Sequence, residues 1–242
     1  MNKSNLVAAS LVLGVSLIIC TLFFTLSLRA RDKANQTINV TGSAKRDIVS
    51  DLGVLRSNIQ ANGPTAEAAY KQLLAQRPQV LSYLKSKGFT ESSIEFSPIN
   101  LNPIYEITDK GYSSNRILEY TANQLIEVKA KDVIKIKSVS LDMISLVNQG
   151  VNITVMPPEY YYTGLADLKI EIQADAAKDA LNRANKIAEA TGSDLGSITT
   201  ARMGVIQITP VNSNMISDYG INDVSSIEKE ITAVVSASFR LD

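Results

Sequence analysis

The sequence predicts an α+β fold: a largely antiparallel sheet packed by helices, preceded by one apolar N-terminal segment of membrane-spanning length. Three observations carry this. Apolar and polar residues alternate with period two in stretches between Gln36 and Leu241. Two segments, 66–84 and 165–191, repeat their apolar residues at three and four instead. Strands and helices follow one another in unequal numbers, with strands joined to strands, unlike the regular alternation of a doubly wound sheet.

The chain has 242 residues, 45 % of them apolar, which suits one ordinary domain or two small ones and argues against global disorder. It has no His, so the commonest general base and the commonest metal ligand are both missing. A single Cys excludes an internal disulfide and a thiolate zinc site. No cofactor and no metal are expected. The 24 basic and 24 acidic residues cancel, but residues 34–242 hold 20 of the basic and 23 of the acidic ones. That mildly acidic balance lacks the basic footprint of a nucleic-acid binder.

Leu6 to Leu28 is a run of 23 residues without a charge. As a helix rising about 1.5 Å per residue it reaches roughly 34 Å, enough to cross a hydrocarbon core of about 30 Å. The apolar region of a secretory signal is shorter, about 7–15 residues. The small-residue cleavage pattern is also missing, since Leu28-Arg29-Ala30 puts a large residue where a small one is wanted. Residues 1–33 therefore read as a retained single-pass signal anchor with a basic flank, and residues 34–242 as the folded domain. A cleaved signal peptide is the competing reading. Cys20 follows Ile18-Ile19 rather than the small residue that lipid attachment needs, and reads as a packing or lipid-facing residue. Orientation is divided. Arg29, Arg31 and Lys33 outnumber Lys3, which by the positive-inside rule keeps the domain cytoplasmic, yet large domains translocate against a modest bias.

Along the domain, Gln36–Ala44 alternates as a strand, Lys45-Arg46-Asp47 reads as a polar turn, and Ile48–Ala61 resumes the alternation, so the pair predicts a hairpin. Gly63-Pro64-Thr65 opens a helix with Ala66, Ala69, Tyr70, Leu73, Leu74, Val80, Leu81 and Leu84 repeating at three and four; Pro78 predicts a kink or split, and Gly88 a stop. Pro98 and Pro103 make Ile94–Ile107 an edge strand. After a turn at Thr108–Asn115, Ile117–Lys129 is a long strand. Asp132 caps a helix carrying Val133, Ile136, Val139, Met143 and Val147, which Gly150 ends. Val151–Met156 is a short strand, Pro157-Pro158 breaks the chain, and Glu159–Thr163 extends briefly. Leu165–Thr191 is the longest helix, with Ile172, Ala176, Ala177, Ala180, Leu181, Ala184, Ile187 and Ala188 inward and Gly192 as its stop. Leu195–Thr209 is a strand interrupted near Gly204, Pro210–Ser226 a polar loop, and Ile227–Leu241 the last strand.

This order of elements resembles the SIMPL-domain family of bacterial envelope proteins. Ile38-Asn39-Val40-Thr41-Gly42-Ser43-Ala44 is similar to the family's opening strand, and Ser50-Asp51 stands where the family has Pro-Asp. Leu84-Lys85-Ser86-Lys87-Gly88-Phe89 resembles its helix exit, and Ser92-Ser93-Ile94-Glu95-Phe96-Ser97 the strand that follows. Glu119-Tyr120-Thr121-Ala122-Asn123 resembles a further strand start, with Glu119 replacing a Gly. Lys178 to Gly192, then Leu195-Gly196, resembles the late alanine-rich helix and its exit. The resemblance implies an α+β domain exported to the periplasm or cell surface and anchored in the inner membrane. It also implies a link to oxidative-stress tolerance and ring-like homo-oligomers. It carries no catalytic residue set.

Chemistry-bearing residues are few. Asp167 and Glu171, and Asp175 and Asp179, stand four apart on the long helix, and shared burial would raise one pKa of such a pair. Both pairs lie off the apolar stripe beside Lys169 and Lys178, which predicts a solvated face. Gly42-Ser43-Ala44-Lys45 lacks the upstream glycine of a phosphate loop. Tyr160-Tyr161-Tyr162 alternates across an extended segment and serves packing or a subunit interface, since Tyr is enriched in interface cores. Met215, Tyr219 and Ile221 lie in a loop long enough to be functional or disordered. These six residues are the candidate interface. The expected function is a membrane-anchored, self-assembling, non-catalytic envelope scaffold or binding module whose protein partner is open. The alternative is a hydrolase or lyase using carboxylate, Tyr or Lys groups in a cleft between sheet and helices, although the predicted inner faces are mostly aliphatic.

Overall fold

The computed structural model describes residues 14–25, 36–108 and 111–241. A helix α1 covers residues 14–25. Among the described residues no helix is long and apolar enough to cross a membrane, and the rest of the expected span from Leu6 to Leu28 lies outside them.

The domain is mixed α+β, as expected, but its strands form two sheets rather than one. The first joins β1 (Thr37–Val49), β11 (Glu228–Leu241), β9 (Gln207–Pro210) and β10 (Ile221–Asn222), with β8 (Leu195–Met203) also on β11. Helix α4 (Leu165–Thr191) covers it. The second joins β3 (Ile94–Phe96), β5 (Ser113–Ala130), β2 (Leu52–Gly63) and β6 (Ile153–Val155), with β4 (Asn100–Ile107) on β5 and β7 (Glu159–Tyr161) on β2. Helices α2 (Ala66–Ser86) and α3 (Val133–Asp142) cover that one. All pairings are antiparallel except β9 with β10.

The expected hairpin between the first two strands is corrected. β1 pairs with β11 along its whole length, from Thr37 opposite Arg240 to Val49 opposite Glu228, while β2 pairs with β5. The polar stretch Lys45-Arg46-Asp47 continues the strand because each cation finds an acid: Lys45 Nζ reaches Glu230 at 2.8 Å, and Arg46 reaches Glu171 at 2.7 Å and Asp175 at 2.8 Å. The chain then crosses between the sheets at Ser50-Asp51.

Burial follows the alternation. Leu55, Ile59, Leu73, Leu84, Ile126 and Met143 fill the core of the second sheet, and Ile172, Ala176, Ile231 and Val235 that of the first. Helix α2 is continuous through Pro78, with Leu73, Val80 and Leu84 buried on both sides of it, so packing on the sheet outweighs the missing N–H. Its Thr65 side chain accepts from Ala68 N and caps it. On α4 the buried residues are Leu168, Ile172, Ala176, Ala180, Ala184 and Ala188, one row at intervals of four. Ala177, Leu181 and Ile187, expected inward, are exposed, because the row of small residues seats the helix and turns its flanks to solvent.

Candidate functional site

Three places gather the polar and exposed apolar residues of interest. The first is the seam between the sheets, where the tyrosines lie. Tyr160 is 4 % exposed and packs in the core of the second sheet; Tyr162 packs against the core of the first; Tyr161, on the opposite face from both, donates to Glu159 Oε2 at 2.5 Å. That bond, with one from Arg56 at 2.7 Å, holds the Glu159 carboxyl below its usual range. Tyr160 N donates to Val224 O at 2.7 Å. Lys229 is buried at 3 % exposure, and its ammonium donates to Tyr160 O and Asp223 O, each at 2.6 Å. Burial pushes this amine down.

The crossing residue Asp51 belongs to the same seam. Its carboxylate accepts from Thr163 N at 2.7 Å and Thr163 Oγ1 at 2.6 Å, and its own N–H donates to Tyr161 O. Burial, the largest single influence, raises its pKa, but the two Thr163 bonds together with its own backbone N–H and the charge of Lys131 outweigh that and hold it below its usual range. A depressed carboxyl contributes stability that is complete above its unfolded pKa and disappears as pH falls through the folded one. Asp51→Asn is therefore expected to lower the urea midpoint at neutral pH, and the gap to the wild type should close as pH falls through the depressed folded pKa of Asp51. A gap of constant size across that range would show that the charge of Asp51 has no part in the seam.

The second place is the loop after β9. Met215, Ile216 and Tyr219 are 62 %, 83 % and 98 % exposed, whereas Ile221 is half-buried in β10. The loop and the outer face of β9 and β11 enclose a groove of about 450 Å³ walled by Val205, Val234, Met215 and Ile216. Gln207 closes its floor, donating to Ser217 O at 2.7 Å.

The third place was missed at the level of sequence. β5 pairs with β2 only as far as Tyr120. Beyond that point it pairs with β4 alone, and the two strands project as an arm closed by bonds between Thr108 and Tyr112. Ile107, Tyr112 and Leu118 are 73 %, 72 % and 61 % exposed, and Tyr105, Leu101 and Ile117 are exposed beside them. The sequence offered only the alternation of Ile117–Lys129 after Ile94–Ile107 as a signal, and nothing local marks where β5 leaves β2.

The carboxylate pairs of α4 lie on its solvent side, Asp167 and Glu171 exposed and Asp175 and Asp179 half-buried. Glu171 and Asp175 share Arg46, and Asp179 accepts from Ser43 N and Arg183 Nε, each at 2.8 Å. The bond from the Ser43 backbone is the main reason that Asp179 lies below its usual range. Through Arg46 and Ser43 the side chains of Glu171, Asp175 and Asp179 clamp α4 to β1. Among the described residues no three His, Cys, Asp or Glu side chains gather as a metal site.

Two sheets with a helix layer on each, joined by the chain at a Ser-Asp step, define a mixed α+β domain. The chain belongs to the SIMPL family, described as proteins of unknown function (DUF541), whose model matches residues 38–239. No curated protein matches the sequence significantly.

Proposed function

We propose that this chain is a non-catalytic, self-associating cell-envelope protein, held in the inner membrane by residues 6–28 with its SIMPL domain in the periplasm. The observation that supports it best is the arm formed by β4 and the start of β5. A two-stranded ribbon is marginal in water unless its apolar side chains are covered. This ribbon exposes Ile107, Tyr112 and Leu118 beyond the point where β5 leaves β2. A second copy of the chain is the cover that membrane tethering supplies, because anchored neighbours meet at high effective concentration. The stress link comes with the family resemblance alone; the chain's one Cys, Cys20, lies in the N-terminal apolar segment and outside the domain.

The triple variant Ile107→Ser, Tyr112→Ser, Leu118→Ser tests the arm. Light scattering on the full-length protein in detergent should give a discrete multimer for the wild type. The variant should dissociate with an association constant lower by about a hundredfold, with its circular dichroism unchanged. A monomeric wild type, or a variant that keeps the multimer, would remove the arm from the proposal. A C-terminal reporter active only outside the cytoplasm tests the orientation.

A further inference from the structure

The outer face of the second sheet, turned away from α2 and α3, is built from carboxamides. β2 presents Asn58, Gln60 and Asn62 on it, alternating with the buried Ser57, Ile59 and Ala61. β4 adds Asn100 and Asn102, and β5 adds Asn123. The register sets them in rows: Asn100, Asn123 and Gln60 lie side by side on three adjacent strands, as do Asn102, Thr121 and Asn62. Asn58 lies beside Thr154 on β6.

This composition runs against strand propensity, which depletes Asn and favours Thr and other β-branched residues. Residues that contradict their local structure without a packing reason mark functional surfaces. The bonds within the array are few: Asn58 to Asn123 at 3.4 Å, Gln60 to Asn62 at 3.3 Å, Thr121 to Asn62 at 3.1 Å and Asn62 to Glu119 at 3.0 Å. Among the described residues Asn100 and Asn102 make no side-chain hydrogen bond. Each carboxamide has two N–H donors and an accepting oxygen, so the face holds unused donors and acceptors side by side. It has no charge of its own between Glu119 at one end and the closed cluster of Arg56, Glu127 and Glu159 at the other. An ionic ligand meets no counter-charge there.

The partner that matches an uncharged lattice of paired donors and acceptors is one whose groups also donate and accept at each point. Hydroxyls do so, and a chain of sugar rings carries them at spacings of the order of the roughly 5 Å between strands. We infer that this face binds an uncharged polysaccharide chain, laid across β2, β5 and β4. The site is separate from the exposed tip of the arm, so it stands or falls independently of self-association.

The test is affinity electrophoresis of the full-length protein in an ethylene-glycol detergent, through native gels containing hydroxyethyl cellulose, glycol chitin or dextran sulfate. The neutral polymers are expected to retard the protein and dextran sulfate not to. The variant Gln60→Thr, Asn100→Thr, Asn123→Thr gives the strands better formers, so its melting temperature should hold or rise while its dissociation constant increases about tenfold. Asn102→Arg, at the exposed edge, should weaken binding without touching the other rows. No retardation by either neutral polymer would overturn the inference. So would equal retardation by dextran sulfate, or unchanged retardation of both variants. The arm variant, if retarded like the wild type, separates this outcome from that of the multimer.

Discussion

Gly42→Val is expected to abolish the native fold. A Cβ at position 42 would stand 2.2 Å from Ala180 N and 2.3 Å from Ala176 O, both backbone atoms of α4. Side-chain overpacking costs about 1–3 kcal/mol because neighbours can rotate away. Here nothing can rotate: the helix must lift off the sheet. Lifting it separates Ala176, Ala180 and Ala184 from β1 and breaks the Ser43–Asp179 and Arg46–Glu171 bonds. A domain's whole stability is about 5–15 kcal/mol, so the loss is large against it. The variant should give insoluble protein or no cooperative thermal transition by circular dichroism, and Gly42→Ala a strongly lowered one. A Val variant melting with the wild type would mean that α4 does not rest on β1 at this point.

The same glycine shows what the sequence could and could not reveal. Val40-Thr41-Gly42 is visible as part of an alternating strand and as the carrier of the family resemblance. Its physical reason lies on a helix far along the chain, and no local pattern connects the two. Helix limits were legible because their signals are local: Thr65 and Asp132 as caps, Gly150 and Gly192 in the left-handed conformation at the ends. Strand partners were not. Two strands separated by a short polar step read as a hairpin, and only the long-range pairing of β1 with β11 makes that step a crossing between sheets. Lys45 and Arg46 suggested a turn because their acidic partners, Glu230, Glu171 and Asp175, are remote in sequence. The amide face was written openly, in Asn58, Gln60 and Asn62 at every second position. Period-two reading attends to the buried residues between them and treats the rest as solvent-facing filler.

Leu55→Ala is the second large effect, and it separates two ways in which the cores can be joined. Leu55 is fully buried on β2, between α2 and α3 and the sheet. Deleting its branched end leaves a cavity in a close-packed site and should cost about 2–5 kcal/mol. The first sheet has its own core, which contains none of these side chains. If the sheets were independent, Leu55→Ala would split the urea transition, with the core around Ile231 unfolding at its old midpoint. The seam argues otherwise. Lys229 of β11 holds the carbonyl of Tyr160, whose ring lies in the other core, and Asp51 ties the crossing to Thr163 at the entry to α4. Neither core can open without exposing a buried ammonium or freeing a bonded carbonyl, so a single transition moved to lower urea is expected. Lys229→Met removes the donor from two carbonyls and costs about 1–3 kcal/mol by itself. In combination with Leu55→Ala it should be the change that separates the two transitions. Two transitions in Leu55→Ala alone would show that the sheets fold as independent units and that the seam merely places them side by side.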